Sequence, residues 1–83
     1  MNYSAKVFVR HKKGILDPQG KTIKDALHAL KYKGVHEVKV GKVIDMKVEA
    51  KSMQEAKEAV NDMCKKLLAN PVIEQFTFEI EEL

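Results

Sequence analysis

Apolar and polar residues alternate from the start of the chain. Tyr3, Ala5, Val7 and Val9 share one parity, and Ser4, Lys6, Phe8 and Arg10 share the other. A period of two is the signature of a β-strand whose faces differ in environment. Lys12-Lys13-Gly14-Ile15-Leu16 interrupts it as a loop, and Asp17-Pro18 then predicts a helix start. An aspartate at the N-cap accepts a free backbone N–H, and proline at the first helical position gives up no hydrogen bond. Ile23, Ala26, Leu27 and Leu30 recur at helical spacing, with Gly34 as the stop, so the first helix is expected over residues 18–32.

A second helix is signalled by Ser52-Met53-Gln54-Glu55, a capping box. Its apolar stripe comprises Met53, Ala56, Val60, Met63 and Leu67, widened by Cys64 and Leu68, and Asn70-Pro71 closes it. Val72, Phe76, Phe78 and Ile80 then predict a final strand, with Gln75, Thr77, Glu79 and Glu81 on its other face. Between the helices, Val38, Val40, Ile44, Met46 and Val48 all fall on even positions. One long strand over residues 35–50, bent at Gly41, preserves that parity; so does a hairpin with a three-residue loop, Gly41 to Val43. The bent strand is the preferred form.

The element order is β-α-β(β)-α-β, a single α+β domain spanning residues 1–83. The expected layout is ferredoxin-like, with two helices on one face of an antiparallel sheet. Phe8, Val35, Val43 and Ile73 are expected among polar residues on the opposite face, which suggests a partner surface.

Composition narrows the class. The chain has 83 residues, 45 % of them apolar and 33 % charged, a balance that argues for one folded domain. No apolar run reaches the roughly 18–20 residues of a membrane-spanning helix, and no secretory signal precedes Val7. The single cysteine excludes an internal disulfide, and a reducing cytoplasm is the expected location. One core of this size seldom contributes more than about 3–5 kcal/mol, so oligomerisation is expected. Residues 1–51 carry twelve Lys/Arg against five Asp/Glu, whereas residues 52–83 carry three against seven. The formal charge of +3 therefore divides into +7 and −4.

Candidate chemistry is sparse. His11, His28 and His36 lack the spacing of a metal site and read as solvated. Cys64 lies beside the helical stripe as a small buried thiol, with no reason for a lowered pKa. The aspartates are dispersed, and no glycine-rich phosphate loop is present. An RNA-recognition domain shares the layout but needs an aromatic stacking platform, and Phe8 alone supplies none, so nucleic acid is not the expected partner. A regulatory domain that binds an amino acid or nucleotide near Leu16–Gly20 is the other rival reading.

Lys13-Gly14-Ile15-Leu16-Asp17-Pro18-Gln19-Gly20, followed by Ala26-Leu27 and Leu30, resembles the PurS family, the small subunit of phosphoribosylformylglycinamidine synthase. Val38-Lys39-Val40-Gly41-Lys42 continues the resemblance, as does the run from Met63 through Asn70-Pro71-Val72-Ile73-Glu74 to Phe76-Thr77-Phe78-Glu79. One departure is Lys31, where many relatives carry glycine after the leucine. The resemblance implies a subunit without catalytic groups that joins a glutaminase, PurQ, to a synthetase, PurL. Together these convert formylglycinamide ribonucleotide, ATP, glutamine and water to formylglycinamidine ribonucleotide, glutamate, ADP and phosphate. No cofactor is expected in this chain; ATP and Mg are expected on the synthetase. A homodimer or higher homo-oligomer is also implied. The residues singled out for partner contact are Arg10, Lys13, Leu16, Asp17, Pro18, Gln19, Gly20, Gly41 and Lys42.

Overall fold

The computed structural model describes residues 1–83. Strand β1 (Asn2–His11) is followed by helix α1 (Pro18–Ala29), strand β2 (Lys42–Glu49), helix α2 (Met53–Met63) and strand β3 (Glu74–Glu82). The three strands form one antiparallel sheet in the order β2-β1-β3. The α+β class and the antiparallel sheet are as expected. No helix is long and apolar enough to cross a membrane.

Register carries the alternation of β1 across the whole sheet. Ala5 lies opposite Met46 and Ile80, and Val7 lies opposite Ile44 and Phe78. Helix α2 lies over β1 and β3, where Val60 and Cys64 join Ala5, Val7, Val9 and Ala69 in the buried core. Small and β-branched residues on the central strand let the helix sit close. Larger side chains on the flanks, including Phe76, Phe78 and Ile80, close around it. The predicted cap is in place: Ser52 Oγ accepts the Glu55 N–H at 3.2 Å.

The end of this helix differs from the expected stripe. Residues Cys64–Leu68 form a π-helical turn, and the Ala69 N–H donates to the Cys64 carbonyl at 3.0 Å. The extra residue in the turn directs both Cys64 and Ala69 inward. Leu67, predicted to be core, is instead 82 % exposed, and Met63 is partly exposed at 37 %. Strand β3 starts at Glu74, so Val72 falls in the preceding turn and is exposed.

The middle of the chain departs from both expected forms. Residues 36–41 pair with no strand, so there is neither a long bent strand over 35–50 nor a hairpin at Gly41. The reason lies in the backbone. The Val40 N–H donates to the Asp17 carboxylate, and the Val38 carbonyl packs against Gly20. This extended segment meets the start of α1 and makes no sheet ladder. Its parity continues that of β2 because extended backbone alternates whatever it contacts.

Helix α1 also ends early, at Ala29, because Lys31 adopts a left-handed conformation with φ 76°. The Tyr32 N–H then donates to the Leu27 carbonyl, and the Lys31 N–H to that of His28. Gly34, the predicted stop, lies beyond this closure.

Helix α1 also sits away from the expected position on the sheet. Only α2 covers the sheet; Leu30, the C-cap of α1, and Ile23 within it are exposed, at 67 % and 42 %. The molecule measures 52 × 26 × 14 Å, with a radius of gyration of 16.5 Å. A globular chain of this length would have about 12 Å. A ten-residue strand spans about 33 Å and a twelve-residue helix about 18 Å, so the long axis corresponds to α1 extending from the end of the sheet. The expectation of two helices on one face is corrected accordingly. Four residues of β1 hold the core, and α1 buries only Gly20.

Candidate partner-docking site

The nine residues predicted from the sequence gather at one end of the sheet, where β1 ends, α1 begins and β2 is about to start. They divide by environment. Asp17 and Gly20 face inward, whereas Leu16, Pro18 and Gln19 are exposed. Arg10, Lys13 and Gly41 line one cleft, and Lys42 opens β2 opposite Val9.

Asp17 organises this end. Its Oδ1 accepts the Gly20 N–H at 2.9 Å, which caps α1, and its Oδ2 accepts the Val40 N–H at 2.7 Å. The side chain is only 8 % exposed. Hydrogen bonds from the Val40 and Gly20 amides stabilise the charged form, so the carboxyl titrates below the usual aspartate range. The His11 Nδ1 lies 3.8 Å from Oδ2, at the end of β1. One carboxylate therefore joins the helix start, the 38–40 segment and the central strand.

Two glycines permit the close approaches. A Cβ on Gly20 would lie 2.1 Å from the Val38 carbonyl oxygen, and one on Gly41 would lie 2.7 Å from that of Val9. Both contacts are with backbone atoms that cannot swing aside. The Leu16–Gly20 turn is thus more than a helix cap: Gly20 is the point at which α1 is clamped to the rest of the fold.

Two histidines are less solvated than their spacing implied. The Nε2 of His28 lies 2.7 Å from the Val35 carbonyl oxygen, which ties α1 to the following loop. His11 is half-buried, and its Nδ1 is buried without a hydrogen-bond partner. No sequence signal marked His11 except its odd parity, which continues the inward row of β1. Cys64 is buried, and burial pushes its thiol pKa up, away from nucleophilic reactivity.

A second surface was not evident from the sequence. Ile44, Met46 and Val48 form the inward row of β2, yet α2 lies over β1 and β3 and leaves this row half-exposed. The apolar residues of α1 likewise have no sheet of their own chain to cover. Hydrophobic periodicity reports which face is apolar, and it does not report which chain covers it.

The whole chain matches known proteins. The family model described as PurS: Phosphoribosylformylglycinamidine (FGAM) synthase matches residues 4–82. The chain is 44 % identical to the PurS subunit of phosphoribosylformylglycinamidine synthase from Methanocaldococcus jannaschii over 81 residues, which is 98 % of each chain. Among solved structures it is similar to Bacillus subtilis PurS, with a TM-score of 0.86 and 42 % identity over 96 % of this chain and 99 % of that one. It is also similar to a chain in the structure of PurLQS from Thermotoga maritima, with a TM-score of 0.83 and 34 % identity over 100 % and 99 % of the two chains.

Proposed function

The chain belongs to the PurS family, as a subunit of phosphoribosylformylglycinamidine synthase, and from that premise we propose that it seats the glutaminase and synthetase of the complex against each other. The enzyme is a ligase of purine biosynthesis, and the partners are PurL, the synthetase, and PurQ, the glutaminase. ATP and Mg act on the synthetase, and the assembly works in the cytoplasm. Free ammonia is largely protonated at neutral pH, and ammonium is no nucleophile. Glutamine-derived ammonia must therefore pass between the partners without meeting solvent. A subunit that holds them in register serves this need without contributing a reactive group of its own.

One observation carries the reading: the chain leaves apolar surface uncovered on both α1 and β2, with only 9 of 83 residues buried. Such a protomer is completed by neighbours. A second copy covers part of this surface. The apolar side of α1, with Ile23, Leu27 and Leu30, suits the Ile44, Met46 and Val48 row of another protomer, which gives a homodimer or higher oligomer. The exposed residues of the Leu16–Gly20 turn, together with Lys42, then face the larger subunits.

Reconstitution of the three subunits tests the role. Omission of this chain should lower glutamine-dependent product formation at least tenfold while the synthetase keeps its turnover with added ammonia. Full glutamine-dependent turnover without it would rule out the docking role.

A further inference from the structure

The geometry points to a binding site for a phosphorylated small molecule in the cleft at the end of β1. This cleft has a volume of about 400 Å³ and is lined by Arg10, His11, Lys13, Glu37, Lys39 and Gln75, together with the backbone at Val40 and Gly41. It lies between the last residues of β1, the 37–41 segment and the start of β3. Three separate parts of the chain thus contribute donors to one space.

The charges there are not balanced. Lys39 Nζ is paired with Glu37 at 3.2 Å, but neither Arg10 nor Lys13 has a carboxylate within 4.0 Å or a side-chain hydrogen bond within the chain. Surface cations are ordinarily solvated, and two of them alone would mean little. Here they converge on a concave site together with the Gln75 amide, while the buried Nδ1 of His11, another lining residue, lies 3.8 Å from the Asp17 carboxylate. A guanidinium fork and a nearby ammonium suit the several acceptor oxygens of a phosphoryl group.

The lining also excludes other occupants. Val40 is its single apolar residue, so the cleft lacks an anchor for an apolar side chain or an aromatic base. A lone phosphate ion would leave much of the volume empty, whereas a phosphate monoester or a diphosphate would fill more of it. An acidic peptide of a protein partner would seek a longer row of backbone and side-chain contacts than these eight lining residues offer. Glu37 is the one opposing charge, and it makes the proposal sharply testable. Its removal frees Lys39 and deletes the carboxylate that repels an anion.

The site is tested on the full chain alone, independently of its role among the larger subunits. Backbone amide NMR is followed during titration with sodium pyrophosphate and, separately, ribose 5-phosphate. Sodium chloride at matched ionic strength and a polyglutamate peptide serve as comparisons. Saturable shifts of the Arg10, Lys13, Gly41 and Gln75 amides are expected with a phosphate compound and not with chloride. Stronger binding of ribose 5-phosphate than of pyrophosphate identifies an ester, and the reverse identifies a free diphosphate. Arg10→Gln with Lys13→Gln should weaken binding at least tenfold, while Glu37→Gln should tighten it several-fold. The proposal is overturned by shifts that track ionic strength alone, by unchanged affinity in both variants, or by saturation with polyglutamate and not with phosphates.

Discussion

The Asp17 carboxylate accepts the backbone N–H of Val40 at 2.7 Å, across 23 positions of sequence. The same carboxylate caps α1 through Gly20, so one side chain sets both the start of the helix and the path of the chain back toward the sheet. Without this bond, nothing else among the hydrogen bonds of residues 36–41 would hold that segment to the N-terminus of α1.

Asp17→Asn should therefore lower the melting temperature at neutral pH by on the order of 5 °C. An asparagine oxygen can still accept one N–H, but its amide would set a donor against the other. The folded-state pKa of Asp17 lies below its unfolded value, so its contribution to stability is complete above the ordinary aspartate range. That contribution declines as pH falls from about 4 toward the depressed folded value. Thermal unfolding followed by circular dichroism should show a gap between wild type and variant that narrows from pH 7 to pH 3. A gap that stays constant would assign the stabilisation to a source other than the carboxylate charge.

Lys31 sits in the left-handed region with φ 76°, which disfavours a side chain that has a Cβ. The closure of α1 requires that conformation, because the Tyr32 N–H reaches back to Leu27. Lys31→Gly should stabilise the chain by about 1 kcal/mol, measured by urea unfolding. Lys31→Ala should give no comparable gain. Equal effects of the two substitutions would show that the backbone conformation is not what costs stability at this position.

Met46 lies on the inward row of β2, on the surface that α2 leaves half-exposed. Met46→Lys would place a charge where a second protomer is expected to rest, and should shift the oligomer toward monomer by at least tenfold in dissociation constant. Lys57→Glu, on the exposed side of α2, should leave the assembly state as it is. Analytical ultracentrifugation distinguishes the outcomes, and an oligomer unaffected by Met46→Lys would place the interface elsewhere.

The elements that were legible in the sequence depend on near neighbours along the chain. Asp17 and Ser52 each cap a helix through an amide three residues ahead, a relationship contained in four consecutive residues. The parity of Tyr3, Ala5, Val7 and Val9 identified the inward face of β1, and Phe76, Phe78 and Ile80 identified that of β3. The resemblance carried by Leu16–Gly20 and Leu67–Glu74 led to the correct family.

Residues 36–41 carry the alternation of a strand without forming one, for a physical reason. Val38 and Val40 alternate because their backbone is extended, and a helix start that accepts an N–H enforces extension as well as a neighbouring strand does. Leu67 falls outside the predicted stripe because the π-helical turn adds one residue to the winding, and this moves the stripe off its 3.6-residue period. His11 looked solvated because spacing along the chain says nothing about the carboxylate that folding brings within 3.8 Å.

The order of elements, the apolar faces of the strands, both helix caps and the family can be read from the residues alone, since each rests on local geometry or on a string of residues. Tertiary structure alone decided that the basic-leaning half closes around Asp17, that α1 extends away from its own sheet, and that the inward row of β2 is left for a neighbour. Periodicity records that a face is apolar. Which surface covers that face depends on contacts between residues far apart in the chain, or in another chain altogether.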